Sequence, residues 1–317
     1  MLQVPLKPKS FPTNLLPKDW SKRKPFGRFD QRLADKVHDM VVRDDDVWLV
    51  TIPKCGTTWM QELLWLVLNN FDFEAARNEH LEVRSPYVGF DYLLNGDLDR
   101  GLESVETLRP PRLIKSHDPL PLLPQQLWCK KPKTIYVYRN PKDYIVSLYY
   151  YKRSHGFGLE QTLEQHVLEY IGQEDKAVNY FEHVTEFYAL RNEPWIFYTS
   201  FECMKQNLRK VIEDVCQFLN KNITEEQMEG MLHHLSFEEM KKNPKVNQHW
   251  GFEQLRAKYY AGNYVYTSFA RRGLSGGYKD ELSADVIAKV DGWIKNNLER
   301  YNLSINELLL LDAETAV

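Results

Sequence analysis

The segment from Thr51 to Trp59, TIPKCGTTW, has the composition of an anion-binding turn. Gly56 would let the backbone approach a phosphate closely, and amide groups at the start of a following helix would point at it. Lys54, Thr57 and Thr58 would add charge and hydrogen-bond donors. In the nucleotide-triphosphate loop G-x-x-x-x-G-K-[ST] the lysine follows the second glycine, whereas here it precedes the glycine and the first glycine is absent. The pattern therefore argues against a metal-dependent NTPase, although the same letters also occur in unrelated turns.

Lys115 and His117 form a second candidate site, two residues apart and just before a proline-rich stretch. A neutral imidazole, whose ordinary pKa is about 6.5, can accept the proton of an attacking hydroxyl at working pH. Most histidines are structural or exposed, so residue type alone makes His117 only a candidate. The negative charge of the adjacent Asp118 would raise the pKa of this imidazole.

Two arginine segments could bind a further phosphate. Arg139 comes directly before an Asn-Pro pair typical of a helix start, so Ser147 would lie on that helix within reach of the same anion. Without other evidence, Arg139 could equally cap a strand while Ser147 is solvated. The pair Arg271 and Arg272 precedes a glycine, and by itself such a triplet is usually a solvated surface feature.

The elements that would position these groups are short apolar runs, each followed by a helical segment. Four runs are predicted as buried strands: 46–52, 112–115, 134–138 and 195–198. Helices are predicted at 58–69, after Asn140, and from Ser283 to about residue 300. This alternation predicts an α/β fold with a mostly parallel central sheet flanked by helices. Ligands of such sheets bind beyond the carboxyl ends of the strands, where the 54–58 turn, His117 and Arg139 are predicted to lie.

Composition excludes several classes of protein. The 317 residues carry 41 Lys+Arg and 44 Asp+Glu, so the net charge of -3 provides no general attraction to nucleic acid or anionic membranes. The four cysteines have no metal-site or disulfide spacing, and no apolar run approaches the roughly 18 residues that span a bilayer. We expect a cytoplasmic protein with a loosely ordered arm at 1–24 and one domain at 25–317.

The chain resembles the cytosolic sulfotransferase family, whose phosphosulfate loop T-Y-P-K-S-G-T-T-W is matched here at seven of nine places. Ile52 and Cys55 are the departures, and a thiol beside a lysine at a helix start would have a lowered pKa. The resemblance implies a P-loop-like strand-loop-helix and sulfuryl transfer from 3′-phosphoadenosine 5′-phosphosulfate, without a metal, leaving 3′-phosphoadenosine 5′-phosphate. The implied acceptor is a hydroxyl or amine of a small apolar molecule, such as a phenol, steroid or terpenoid alcohol in xenobiotic or hormone metabolism.

The resemblance also implies roles for individual residues. His117 would be the general base, and Lys54 and Lys115 would stabilise charge during transfer. The residues implied in donor binding are Lys54, Cys55, Gly56, Thr57, Thr58, Trp59, Arg139, Ser147, Tyr198, Phe237, Phe269, Arg271, Arg272 and Gly273. Trp59 and Phe237 would flank the adenine, while Tyr87 and Phe90 would line the acceptor pocket together with Lys115 and His117.

Two other functions use some of the same residues. A nucleotide or small-molecule kinase could use the same loop, and would require ATP with magnesium. A non-catalytic nucleotide-binding or carrier protein is a second alternative, against which the presence of both His117 and Lys115 argues. The family's dimer segment is degraded here to Lys279, Ser283, Ala284 and Ala288, so monomer and homodimer are both open.

Overall fold

The computed structural model of the protein describes residues 31–87, 98–247 and 270–311. The predicted arm at 1–24 and two predicted site residues, Phe90 and Phe269, lie outside these ranges. Across the described ranges, no helix combines the length and the apolar character needed to cross a bilayer.

The central sheet has four strands that are all parallel. The strands are β1 (Val47–Thr51), β2 (Leu113–Ser116), β3 (Lys133–Tyr138) and β4 (Ile196–Ser200), in the spatial order β2-β1-β3-β4. In register, Leu49 of β1 lies between Lys115 of β2 and Ile135 of β3. The predicted parallel α/β fold is confirmed, and β4 extends two residues beyond its predicted end.

Fifteen α-helices are described around this sheet. They are α1 (Gln31–Asp39), α2 (Thr57–Leu68), α3 (Phe73–Asn78), α4 (Leu81–Arg84), α5 (Leu98–Glu106), α6 (Gln125–Lys130), α7 (Pro141–Arg153), α8 (Leu163–Gly172), α9 (Glu174–Ala189), α10 (Phe201–Gln206), α11 (Leu208–Phe218), α12 (Glu225–His234), α13 (Phe237–Lys242), α14 (Ala284–Leu298) and α15 (Ile305–Leu309). Short 3-10 helices lie at Leu120–Leu122, Gly277–Asp280 and Glu299–Tyr301.

Each face of the sheet is covered by its own apolar core, because successive strand residues point to opposite faces. One face contributes Trp48, Val50, Tyr136 and Tyr138, and the other contributes Val47, Leu49, Ile135 and Val137. The first core includes side chains of α1, α6, α7, α9 and α14, and the second those of α2, α11 and α12. With both faces covered, the open positions for a ligand are at the strand ends.

The helices predicted to start after Asn140 and Ser283 are both present. The Asn140 side chain accepts a hydrogen bond from the Lys142 amide at 3.0 Å, and Pro141 is the first residue of α7. Ser283 precedes α14 as predicted, but its side chain makes no capping bond there. Its own amide donates instead to Glu164 Oε1 at 3.0 Å, which ties the start of α14 to α8.

Candidate active site

The anion-binding turn forms at the carboxyl end of β1, as the sequence predicts. Lys54 and Gly56 adopt the left-handed φ values of 72° and 95°, which turn the chain sharply into α2. A Cβ at position 56 would lie 2.9 Å from Cδ2 of Phe201, so the site needs a glycine for space as well as for conformation. The hydroxyls of Thr51 and Thr57 are 2.6 Å apart across the turn.

Cys55 lies behind the turn, buried in the core and outside the cavity that the turn lines. Burial raises the pKa of its thiol, with the charge of Arg139 acting in the opposite direction. The expectation of a lowered thiol pKa is therefore wrong, because desolvation outweighs the neighbouring cations.

Lys54 is the cation most strongly affected by this environment. Burial lowers the pKa of Lys54 to about 7, and the positive charges of Arg139 and Lys115 contribute to the same shift. Its ammonium group lies 4.7 Å from the ring centroid of Tyr151. Burial also lowers the pKa of Lys115. An anion bound here would favour the charged form of both lysines.

His117 is held in the tautomer that a base requires. Its Nδ1 lies 2.9 Å from the carbonyl oxygen of Thr51 and 3.2 Å from the hydroxyl of the same residue. The contact with the carbonyl is the shorter one, and because a carbonyl only accepts, it assigns the hydrogen to Nδ1. This leaves Nε2 as the atom that can accept a proton. Burial, and next the charge of Lys115, lower the pKa of His117 to about 3. The imidazole is therefore neutral at working pH.

Asp118 does not raise the pKa of His117, contrary to the sequence-based expectation. Its Oδ2 accepts a hydrogen bond from the Ser116 hydroxyl at 2.9 Å, and burial raises the pKa of Asp118 itself to about 7. A carboxyl that is half protonated near neutrality provides little charge to stabilise an imidazolium.

Tyr87 lies beside the candidate base. Its ring centroid is 5.2 Å from that of His117, and its backbone forms a parallel bridge with Lys115. The structure thus brings Tyr87, Lys115 and His117 together at the carboxyl end of β2.

A cavity of about 1100 Å³, counting its part open to solvent, extends from the turn. Eleven of the fourteen predicted donor-binding residues line it: Lys54, Gly56, Thr57, Thr58, Trp59, Arg139, Ser147, Phe237, Arg271, Arg272 and Gly273. Of the other three, Cys55 is buried behind the turn, Tyr198 lies in the core and Phe269 falls outside the described residues.

Arg139 lies where β3 ends and faces this cavity. Its guanidinium packs 4.2 Å from the ring centroid of Phe201 and donates to the Leu274 carbonyl at 2.8 Å. Its buried Nε has no hydrogen-bond partner among the described residues. A buried donor without a partner is costly, so this position favours a bound anion.

Arg271 and Arg272 reach the cavity already paired with carboxylates. Arg271 Nη2 lies 2.6 Å from Glu281, and Arg272 Nη1 lies 3.0 Å from the same residue. Asp143 holds the turn that follows, accepting the amides of Gly276 at 2.7 Å and Tyr278 at 3.1 Å. This segment is therefore anchored to α7, which also carries Ser147.

Aromatic side chains form another part of the cavity wall. The Trp59 indole donates to the Leu235 carbonyl at 2.9 Å, so the side chain is fixed against the end of α12. Phe237 packs so closely on Gly273 that a Cβ there would approach Phe237 Cδ2 to 2.3 Å.

Phe201 lines the cavity beside the anion-binding turn and is one of the lining residues that the sequence did not predict. Tyr198 does not line the cavity, since its ring stacks on Tyr136 at 5.5 Å between centroids and contacts Tyr188. Because β4 continues to Ser200, the first residue beyond the strand is Phe201, which reaches the anion-binding turn. In the sequence, the signal for this residue is its position, because Phe201 directly follows the strand at the edge where ligands bind.

The sulfotransferase domain family model matches residues 44–302. The chain belongs to the sulfotransferase family. Luciferin sulfotransferase of Photinus pyralis is 33% identical over 283 residues, covering 84% of this chain and 75% of that protein. Sulfotransferase 1 family member D1 of Mus musculus is 32% identical, covering 78% of this chain and 81% of that protein.

Solved structures share the fold of this sulfotransferase. A crystal structure of retinol dehydratase in a complex with retinol and PAP has a TM-score of 0.73 and 26% identity, covering 86% of each chain. Mouse sulfotransferase SULT7A1 complexed with PAP has a TM-score of 0.66 at 20% identity, covering 86% of this chain and 90% of that one, and supports the fold. The protein is therefore a sulfotransferase, and this family assignment decides against the kinase and carrier alternatives.

Proposed function

We propose that this sulfotransferase modifies a hydroxyl group, or an amine, of a small and largely apolar acceptor, with His117 as the general base. The observation that carries the proposal is the convergence of the His117 imidazole with Lys54 and Lys115 at the carboxyl ends of β1 and β2. When bound, the donor supplies the sulfuryl group and a phosphate leaving group.

The base step follows from the tautomer of His117. With Nδ1 donating to the Thr51 carbonyl, Nε2 takes the proton of the acceptor hydroxyl as its oxygen bonds to sulfur. The bond between sulfur and the bridging phosphate oxygen breaks in the same in-line displacement. The imidazolium then returns its proton to solvent. The low pKa of His117 favours this release.

The charge that develops during transfer falls on oxygens near two lysines. Lys54, at the tip of the turn, would neutralise the departing bridging oxygen, and Lys115 would stabilise the sulfuryl oxygens. No metal ion is needed for this charge balance.

The cavity residues fit the nucleotide end of the donor. The turn amides with Thr57 and Thr58 would bind the 5′-phosphate, and Arg139 with Ser147 would bind the 3′-phosphate. Trp59 and Phe237 would hold the adenine, with Phe201 taking the contact first assigned to Tyr198. Arg271 and Arg272 would also face the 3′-phosphate. Their pairing with Glu281 would weaken that contact.

The acceptor class is inferred from relatives and from the wall beside the base. Relatives include a luciferin sulfotransferase, and the retinol dehydratase structures contain retinol or androsterone. Tyr87 would form an aromatic wall of this pocket, and the sequence predicts Phe90 as a second wall residue. We also propose one domain over 25–317, a cytoplasmic location, and a monomer or homodimer that binds neither nucleic acid nor membrane.

The test is incubation of the protein with 35S-labelled donor and a panel of phenols, steroids, terpenoid alcohols and amines. Labelled product with apolar alcohols or phenols, and none with ATP and magnesium as donor, is the expected result. Absence of labelled product with every member of the panel would contradict the acceptor class.

A further inference from the structure

Three charged or polar side chains from separate segments meet in the interior beside α2. Glu62 of α2 lies 2.8 Å from Arg84 Nη2 through one carboxylate oxygen and 2.7 Å from His234 Nε2 through the other. The side chains of Glu62 and Arg84 are completely buried, and His234 is 4% exposed. None of the three lines the cavity described above.

On one side, this cluster is continuous with the wall beside the base. Arg84 ends α4, and the next carbonyl, that of Ser85, accepts a hydrogen bond from Gln61 Nε2 at 2.5 Å. The carbonyl of Pro86 accepts from the Lys115 amide at 3.1 Å. Tyr87 follows directly and packs on His117. The position of Arg84 therefore sets where this short segment starts.

On the other side, the cluster is continuous with the aromatic wall. His234 ends α12, and the next carbonyl, that of Leu235, accepts the indole N–H of Trp59 at 2.9 Å. Two residues further, Phe237 begins α13 and lines the cavity. The segment beside the base is attached to α2 through Glu62, and the aromatic wall is attached through Glu62 and Trp59. These two residues of α2 lie within one helical turn of each other.

The cluster is poorly explained as a device for stability alone. Burying an ion pair costs desolvation that apolar side chains of similar volume would avoid. Arg84 Nη1 is buried with no hydrogen-bond partner among the described residues, although the guanidinium packs 4.4 Å from the ring centroid of Trp65. The desolvation of the charge is therefore not fully compensated. What the charged cluster provides, and apolar packing would not, is directional bonds that fix two segments relative to a third.

We propose that Glu62 is a positioning residue that sets the Tyr87 segment and the Leu235–Phe237 segment relative to the phosphosulfate turn. Arg84 transmits this positioning to the acceptor side, and His234 transmits it to the adenine side. The inference rests on the proposed roles of Tyr87 at the acceptor and of Trp59 and Phe237 at the adenine.

The experiment measures two constants separately on the full chain: the KM for 2-naphthol and the Kd for PAP by calorimetry. Arg84→Lys keeps the positive charge but loses the planar guanidinium with its several donors. It should raise the KM for 2-naphthol roughly tenfold with little change in the Kd for PAP. His234→Gln should raise the Kd for PAP roughly tenfold with little change in the KM for 2-naphthol. Glu62→Gln should raise both constants, each by about tenfold or more.

Asp46→Asn is the matched control, because it breaks another fully buried carboxylate–arginine pair at the opposite end of the strands. It should lower the melting temperature without changing either constant at a temperature well below melting. If Glu62→Gln also changes only the melting temperature, or if both single-sided variants raise both constants equally, the positioning role is wrong.

Failure of the proposed site itself would look different. Tyr87→Ala should raise the KM for 2-naphthol, and Trp59→Ala should raise the Kd for PAP, whatever Glu62 does. If these two variants have no effect, the acceptor and adenine assignments fail. If they behave as expected while Glu62→Gln does not, only the positioning role fails.

Discussion

Each end of the parallel sheet holds an arginine close to β1, fully buried at the amino end and half-buried at the carboxyl end, and the two arginines have different partners. At the amino end, Arg112 binds Asp46 through Nε and Nη2, both at 2.7 Å, and donates to the Val41 carbonyl. At the carboxyl end, Arg139 has two carbonyl contacts and, within the described ranges, no carboxylate within ion-pair distance.

This difference separates a structural charge from a functional one. At the amino end, the carboxylate of Asp46 balances the charge of Arg112, so no ligand is needed there. At the carboxyl end, Arg139, Lys54 and Lys115 lie close enough to lower the pKa of Lys54 to about 7. Positive charges gathered in this way repel one another, so a bound anionic ligand would stabilise them.

The largest expected effect is at the carboxyl end. His117→Ala removes the proton acceptor, and turnover should fall roughly thousandfold, within the usual range for a general base. Binding of PAP should persist, because no phosphate contact is removed. Single-turnover kinetics with labelled donor, together with calorimetry, would measure the two effects, and near-normal turnover would falsify the base assignment.

Breaking the amino-end pair should affect stability and spare catalysis. Asp46→Asn leaves the Arg112 guanidinium buried without its counter-charge, which should cost about 3 kcal/mol of unfolding free energy. Urea denaturation would measure this change, and kcat should remain at the wild-type value. A loss of kcat in correctly folded protein would mean that the two ends are not independent.

The smallest expected effect is a pH dependence of PAP binding that only the carboxyl end of the sheet should show. The pKa of Lys54 is about 7 in the folded protein against 10.5 ordinarily, so between these values the unfolded chain binds more protons and stability rises with pH. A nucleotide anion favours the charged lysine, so binding above pH 7 should take up a proton and weaken by up to about tenfold per pH unit.

Calorimetry of PAP binding in two buffers of different ionisation enthalpy would detect this proton. Lys54→Met should abolish the uptake, whereas Asp46→Asn should leave it unchanged. Uptake that persists in Lys54→Met would show that another group at the carboxyl end carries it.

Local chemistry made much of the fold and site predictable. The strand-turn-helix around Gly56 follows from residues adjacent in the chain, because a left-handed turn and a helix start have strong sequence preferences. The same holds for Asn140 and Pro141 at the start of α7. Since parallel strands place their carboxyl ends at one edge, the gathering of Lys54, His117 and Arg139 could also be predicted.

Residue type and order determined the family, the parallel sheet and most of the donor cavity, because these depend on short-range patterns and on strand direction. Tertiary packing decided that Phe201 rather than Tyr198 faces the turn, that burial keeps His117 neutral despite Asp118, and that Glu62 meets Arg84 and His234. These outcomes depend on desolvation and on contacts between distant segments, and a local pattern carries information about neither.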